Sequence, residues 1–111
     1  MEIVVIEKRD NILLISVKGR MDVMYTPEFE KAMDRWISEG EINFAVDFSE
    51  TVFISSSGLR SILITAKKLE AKGGKVVLLS PKDAVKRVFQ ISGFYTLIPI
   101  YDSMEAALEQ F

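Results

Sequence analysis

The sequence contains no cysteine and no histidine among its 111 residues. Without cysteine no disulfide can form, which suits a reducing compartment. Without histidine the chain lacks the commonest general base and the commonest ligand of transition metals. A Ser-His-Asp triad and a zinc site of the usual ligands are therefore excluded, and we predict neither a metal nor a cofactor.

The chain also lacks an excess of charge of either sign and any long apolar run. It has 14 basic and 16 acidic residues, for a net charge of −2, and its Lys and Arg residues are spread along the sequence. This pattern argues against binding to nucleic acid. The apolar run Ile3–Ile6 is too short for a signal peptide, and no segment is long enough to span a bilayer. We therefore expect a cytoplasmic protein that does not associate with membranes.

The sequence contains enough apolar residues to form the core of one domain. Hydrophobic residues make up 49% of the sequence, so a chain of this length can bury a real core. The length is that of one domain, and neither an internal repeat nor a linker is evident. We predict a single domain over residues 1–111.

The apolar pattern predicts an α/β fold with a mixed, mostly parallel sheet and about four helices. Ile3–Ile6 and Ile12–Val17, separated by a polar turn, predict a hairpin of two strands. Short apolar runs then alternate with apolar stripes at helical spacing, which gives the order ββαβαβαβα. The later strands are predicted near residues 43–48, 75–79 and 97–101, and the helical stripes over residues 29–37, 59–69, 85–89 and 104–111. We expect Thr26, Ser80 and Asp102 to cap the first, third and fourth helices.

Three consecutive serines stand at the start of the second predicted helix. Ser55, Ser56 and Ser57 follow a short loop in which we expect Phe53 and Ile54 to anchor the chain on the core. The first N–H groups of a helix are unpaired and partly positive, so they can be capped by a serine hydroxyl or can hold a phosphate. One cap needs only one serine, and the carboxyl end of a central strand is where open α/β sheets usually bind ligands. The serine run is therefore a candidate site as well as a candidate cap.

The segments Asp47-Phe48-Ser49 and Ile54-Ser55-Ser56-Ser57-Gly58-Leu59 together resemble the signature of the STAS domain family. That family comprises anti-sigma factor antagonists and related domains of sulfate transporters. The resemblance covers essentially the whole chain and implies a STAS-like fold. It is carried further by Gly19-Arg20-Met21-Asp22, Gly73-Gly74-Lys75, Ser80-Pro81, Val85-Lys86-Arg87-Val88-Phe89 and Ile91-Ser92-Gly93.

The resemblance implies a regulatory switch rather than an enzyme. Bacterial antagonists of this family bind an anti-sigma factor that is also a serine kinase, and this sequestration frees the sigma factor. Phosphorylation of one serine in the motif prevents the binding, and a separate serine phosphatase restores it. The family's acceptor lies two positions before the motif glycine, which here is Ser56, with Ser55 and Ser57 as less favoured acceptors. The implied partner-binding surface comprises Asp22, Ser55, Ser56, Ser57, Gly58, Leu59 and Arg60.

The sequence departs from the family's pattern at two positions. Many antagonists have Asp immediately before the acceptor, where this chain has Ser55, so recognition by the kinase could differ and a neighbouring serine could compete. The loop after the second strand often reads Gly-Glu-Leu-Asp, and here Arg20 replaces the acid while Asp22 is retained. The opposite charge at Arg20 makes the identity of the partner less certain than the fold.

The switch has a simple electrostatic interpretation. A phosphoserine adds a charge of about −1.5 to −2. At the start of a helix such a charge is favourable by roughly 0.3–1 kcal/mol, so the fold should tolerate it. Burying the same unpaired charge against a partner costs several kcal/mol, so the complex should be lost.

Three other functions are compatible with parts of the sequence. A receiver-like domain would be phosphorylated on Asp47, but it needs a pair of acids after the first strand to hold Mg²⁺, and Lys8-Arg9-Asp10 offers one. An enzyme is disfavoured because the chain has no Gly-x-Ser-x-Gly elbow, no histidine and no phosphate-binding loop. A STAS scaffold without a role toward sigma factors stays open, whereas the lack of a membrane-spanning segment argues against a transporter tail.

Overall fold

The computed structural model describes all 111 residues and is built on a mixed sheet of six strands. The strands are β1 (Glu2–Arg9), β2 (Ile12–Met21), β3 (Asn43–Asp47), β4 (Thr51–Ile54), β5 (Lys75–Leu79) and β6 (Ile100–Tyr101). The helices are α1 (Thr26–Ser38), α2 (Ser56–Ala71), α3 (Asp83–Ile91) and α4 (Met104–Leu108), and a 3-10 turn covers Phe94–Thr96. The order across the sheet is β1-β2-β3-β5-β6, with β4 paired to the end of β2. Only β1 and β2 are antiparallel, so the predicted α/β class and mostly parallel sheet are confirmed.

Strand β4 is absent from the predicted order ββαβαβαβα, and that order is wrong at this point. Thr51–Ile54 was expected to be a loop, but it pairs in parallel with the last residues of β2. Two features hid this strand: it has only four residues, and β2 continues to Met21 where the pattern predicted an end at Val17. Glycine is depleted in strands, yet Gly19 continues β2 with a φ of +90° and the register shifts between Gly19 and Arg20.

The pairing of β4 decides which of its side chains reach the core. Ile54 is 3% exposed and anchors the strand as expected, but Phe53 is 36% exposed, so the expectation for Phe53 is wrong. Thr51 is buried, and its hydroxyl donates to the carbonyl oxygen of Val17 at 2.6 Å. The two ends of β4 are therefore fixed to the protein while its middle faces solvent.

The predicted starts of three helices are wrong by one or two residues. Thr26 is the first residue of α1 rather than its cap. Helix α3 begins at Asp83, because Ser80 turns with a φ of +56° and its hydroxyl donates to the carbonyl oxygen of Asp102. Ser103 rather than Asp102 caps α4, since its hydroxyl oxygen accepts an N–H of the first turn at 3.2 Å. Such side chains pair with whichever N–H the local turn brings near, so residue type alone fixes a cap poorly.

The main core lies between one face of the sheet and helices α1, α2 and α3. Phe48 and Phe89 meet edge to face in it with ring centres 5.5 Å apart, and Phe89 stacks on Phe94 at 5.4 Å. Because successive strand side chains point to opposite faces, Leu14 and its neighbours face the other way, where Ala107 of α4 packs against them. This arrangement holds α2 against the sheet, so the first turn of α2 lies beside the ends of β2 and β4.

None of the four helices combines the length and the apolar character that crossing a membrane requires.

Replacing Phe48 by Ala should lower the free energy of unfolding by about 3–5 kcal/mol, because its side chain is fully buried against Phe89 and would leave a cavity. Urea unfolding followed by circular dichroism measures the change. Phe111→Ala is the control, since Phe111 is 38% exposed, and it should cost less than about 1 kcal/mol. Equal losses in the two variants would contradict the place of Phe48 in the core.

Candidate functional site

Ser56 is the first residue of α2, and its side chain is exposed to solvent. Ile54 closes β4 just before it, and Ser55 forms the turn from the strand into the helix. The N–H of Ser55 donates to the carbonyl oxygen of Met21 at 3.0 Å, which ties the turn to the end of β2. Buried or hydrogen-bonded neighbours therefore hold the backbone of Ser56, while the residue itself is exposed to solvent.

Ser55 is the cap of helix α2. Its backbone is extended, with φ −95° and ψ 173°, and its hydroxyl oxygen accepts the N–H of Gly58 at 3.2 Å. The same hydroxyl donates to the carbonyl oxygen of Met21 at 3.4 Å. Both the donor and an acceptor position of this hydroxyl are used within the fold, so Ser55 has a structural role.

Ser57 is half-buried and lies beside α1. It lines a small polar cavity between α1 and α2 that it shares with Glu30, Arg60 and Ser61. The buried Ser61 hydroxyl donates to Oε2 of Glu30 at 2.5 Å and so connects the two helices. The three serines thus differ: one caps the helix, one is free in solvent, and one shares a cavity with a carboxylate.

The start of α2 is electropositive. The capping serine accepts the N–H groups of Gly58 and Leu59, at its hydroxyl and carbonyl oxygens respectively. The N–H groups of Ser56 and Ser57 belong to the first turn, where no acceptor exists within the helix. No acid lies in this turn, and Arg60 is exposed one turn further on. This end of the helix can therefore accommodate an anionic group on Ser56.

Gly58 is buried against the end of β2. A Cβ added to it would lie 2.8 Å from the carbonyl oxygen of Met21 and 2.7 Å from Cγ1 of Ile54. Both distances are shorter than any normal contact, so no other residue fits without a shift of the backbone. The glycine thus lets α2 begin directly against the paired ends of β2 and β4.

Asp22 shapes the loop that leads from β2 into α1. Its carboxylate accepts the N–H of Met24 at 3.1 Å and the Nε–H of Arg20 at 3.3 Å. Its carbonyl oxygen accepts the N–H groups of Tyr25 and Thr26 at 3.0 and 2.9 Å. Asp22 therefore orients the loop that lies next to the serine turn.

The residues predicted to bind a partner come together at one end of the sheet, because the bond from Ser55 to Met21 joins their two segments. They are not equally available. Ser56 and Arg60 are exposed, Asp22 is half-buried, and Leu59 packs partly against the main core. Gly58 is buried, so a partner would not contact it directly.

Asp47, the acceptor in the receiver-like alternative, has local partners. It is half-buried, and its carboxylate accepts the N–H of Ser49 at 2.9 Å and the Ser49 hydroxyl at 3.1 Å. No group of three or more acidic side chains in the protein is arranged to hold a metal ion. The geometry around Asp47 is that of a turn after β3.

Sequence reasoning missed four exposed apolar residues in the segments next to the serines. Val23 and Met24, in the loop after β2, are 67% and 77% exposed, and Val52 of β4 is 64% exposed. Phe53 pairs across the strands with Arg20, whose guanidinium carbon lies 4.2 Å from the centre of the phenyl ring. These residues are visible in the sequence, but the contact of Arg20 with Phe53 depends on the pairing of β4 with β2.

The STAS domain family model matches residues 4–107, and the chain belongs to this family. A candidate anti-sigma factor antagonist of Bordetella bronchiseptica, BtrV, is 33% identical over 105 residues, which cover 95% of this chain and 90% of that protein. The anti-sigma F factor antagonist of Paenibacillus polymyxa is 28% identical over 94% of this chain and 90% of its own length. The resemblance noted in the sequence is confirmed at the level of the family.

Solved structures share the fold. A candidate anti-sigma factor antagonist of Thermotoga maritima superposes with a TM-score of 0.87 at 23% identity, over 94% of this chain and 90% of that one. The anti-sigma factor antagonist SpoIIAA in its unphosphorylated form gives 0.82 at 24% identity, over 98% and 95% of the two chains. Bacillus SpoIIAA in its phosphorylated form gives 0.74 at 23% identity, over 98% of each chain. The predicted STAS-like fold is therefore confirmed.

Replacing Ser55 by Ala should lower the free energy of unfolding by about 0.5–2 kcal/mol, because α2 loses its cap. Replacing Ser56 by Ala should change it by about 0.5 kcal/mol or less, because that hydroxyl is exposed. The two variants remove the same atom from adjacent positions, and urea unfolding compares them directly. A greater loss in Ser56→Ala than in Ser55→Ala would show that the cap is assigned to the wrong serine.

Replacing Gly58 by Ala should destabilise the protein by about 1–3 kcal/mol, because the added methyl group has no room beside Met21 and Ile54. Within an ordinary helix the same change would stabilise by about 1 kcal/mol, so the sign of the effect is diagnostic. Urea unfolding supplies the measurement, with Lys67→Ala at an exposed position of α2 as the control. An unchanged or raised stability of Gly58→Ala would disprove the close approach of α2 to β2.

Proposed function

We propose that this protein is an anti-sigma factor antagonist whose binding is switched by phosphorylation of Ser56. In its unphosphorylated state it binds an anti-sigma factor that is also a serine kinase, and this binding frees the sigma factor. The observation that carries the proposal is the exposed hydroxyl of Ser56 at the first residue of α2, between a capping serine and a half-buried one. The names of the relatives from Bordetella and Paenibacillus support the same function.

The neighbouring serines are poorer acceptors for physical reasons. A phosphate on Ser55 would break the cap of α2 and the contact of its hydroxyl with Met21. A phosphate on Ser57 would enter the cavity that Glu30 and Arg60 also line, and there it would disturb the hydrogen bond from Ser61 to Glu30 that connects α1 and α2. Modification of Ser56 disturbs neither arrangement, so this site favours a reversible switch.

The first turn of α2 explains why the fold should survive phosphorylation. The added charge of about −1.5 to −2 lies beside unpaired N–H groups, where it is favourable by roughly 0.3–1 kcal/mol. A docked partner changes the balance, because the phosphate would be buried without a counter-charge. A loss of about 3 kcal/mol weakens binding more than about a hundredfold. The switch therefore requires no large change in conformation.

The roles of this protein and of the kinase follow from the side chains that this protein has near Ser56. This chain supplies an acceptor hydroxyl and has no histidine to activate it, so we assign it no catalytic activity of its own. The kinase transfers the γ-phosphoryl group of ATP to Oγ of Ser56, takes the hydroxyl proton on its own base and releases ADP. A serine phosphatase hydrolyses the ester and restores binding. The exchange takes place in the cytoplasm and involves neither nucleic acid nor membrane.

The test uses the unmodified protein, Ser56→Ala and Ser56→Asp as baits in a lysate of the source organism. The first two should retain the same kinase, and Ser56→Asp should retain it at least about tenfold more weakly, because a carboxylate imitates part of the phosphate charge. Mass spectrometry identifies the kinase, which is then purified for titration and for phosphorylation assays.

Ser57→Ala is the matched control, since it removes the adjacent hydroxyl. It should be phosphorylated like the unmodified protein, whereas Ser56→Ala should incorporate no phosphate. Incorporation into Ser56→Ala would refute the assignment of the acceptor, and equal retention of all three baits would refute the switch.

A further inference from the structure

We infer that Arg20 is a specificity contact of the docking surface and that it pairs with a carboxylate of the anti-sigma factor. The inference rests on the proposed function, because the partner is the anti-sigma factor of that proposal. It starts from a guanidinium group that the fold holds in place beside the serine turn while leaving most of its donors free.

Two contacts orient the side chain of Arg20. Its Nε–H donates to Oδ2 of Asp22 at 3.3 Å, and the guanidinium carbon lies 4.2 Å from the centre of the Phe53 ring. Asp22 is itself fixed, because its other carboxylate oxygen accepts the N–H of Met24. The side chain of Arg20 nevertheless remains 56% exposed, against 20% for Asp22. The guanidinium is thus both oriented and accessible.

An oriented guanidinium suits recognition of a carboxylate. Arginine has five N–H donors, and Asp22 engages only the one on Nε. The two terminal nitrogens remain for a bidentate pair with a carboxylate, which is among the strongest and most directional contacts in proteins. Because Phe53 already restricts the side chain, little conformational freedom is lost when a partner binds.

The surroundings of Arg20 indicate that the partner is a protein with an acid set among apolar side chains. Arg20 pairs with Phe53 across the strands. Phe53 precedes Ser56 by three residues, which span about 10 Å of extended chain. The exposed Val23 and Met24 lie in the adjoining loop. Apolar contacts around a charge pair exclude water and strengthen the pair. Arg20 and Ser56 are each one residue away from the hydrogen bond that joins Ser55 to Met21, so they lie at the same end of the sheet.

The experiment measures the affinity of Arg20→Glu for the purified kinase. We expect binding to weaken at least about tenfold, because two negative groups would face each other. Phosphorylation of Ser56 should show a raised KM and an unchanged kcat, since Arg20 does not touch the reacting hydroxyl. Lys67→Glu, at an exposed and unpaired position of α2, changes the net charge by the same amount and should bind like the unmodified protein.

Rescue distinguishes a contact from a structural role. Surface acids of the kinase are changed to Lys one at a time, and one such variant should restore binding to Arg20→Glu while binding the unmodified protein poorly. Arg20→Met keeps an apolar side chain of similar length and introduces no negative charge beside Asp22. If urea unfolding shows that Arg20→Glu is destabilised, the titration uses Arg20→Met instead.

Several outcomes would overturn the inference. Unchanged affinity of the Arg20 variants would overturn it and would leave the proposed function intact, provided that Ser56→Asp still prevents binding. Equal loss in Lys67→Glu, or rescue by no acid of the kinase, would also overturn it. A lysate that yields no kinase sensitive to Ser56→Asp overturns the proposed function itself, and this inference with it.

Discussion

The carbonyl oxygen of Met21 is the point on which the serine turn depends. It accepts the N–H of Ser55 at 3.0 Å and lies 3.4 Å from the hydroxyl of the same residue. The missing side chain at Gly58 allows the first turn of α2 to reach it. Met21 is fully buried at the end of β2, so the turn is attached to the interior of the sheet. The backbone of the neighbouring elements therefore places Ser56, and its hydroxyl is not needed to hold the structure.

This division of roles suits a reversible modification. The atoms that anchor the turn belong to Ser55, Gly58 and Met21, whereas a phosphate would be carried by Ser56 alone. A phosphate on Ser56 would not replace either of the hydrogen bonds that Ser55 makes with Met21 and Gly58. The first turn of α2 also contains no acid that would repel the new charge. If Ser56 is the acceptor, its phosphate and the anchoring contacts of Ser55, Gly58 and Met21 involve different atoms.

The parts of the fold that could be predicted from the sequence are those governed by burial. The strands near Ile12–Val17 and Lys75–Leu79 were predictable because each is a short, mostly apolar run that is buried on both faces. The stripe of α2 was predictable because its apolar residues recur at the helical period. Strand β4 was not, since four residues with buried ends and an exposed middle match neither period. The resemblance to the STAS family singled out Ser56, and its role as acceptor stays a prediction. The contact of Arg20 with Phe53 could not be predicted, because it joins residues 33 positions apart through an unpredicted strand pair.

The pairing of β4 with β2 has a consequence for how recognition and regulation are related. The same strand pair buries Ile54 to anchor the serine turn and exposes Phe53 to carry the guanidinium of Arg20. Both residues are therefore placed by one short strand pair, β2 with β4. If Arg20 determines which partner binds and phosphorylation of Ser56 controls whether it binds, a substitution at Arg20 changes the choice of partner without changing the control by phosphorylation. A substitution at Ser56 has the opposite effect. Relatives could then acquire different partners while they keep the same phosphorylation chemistry.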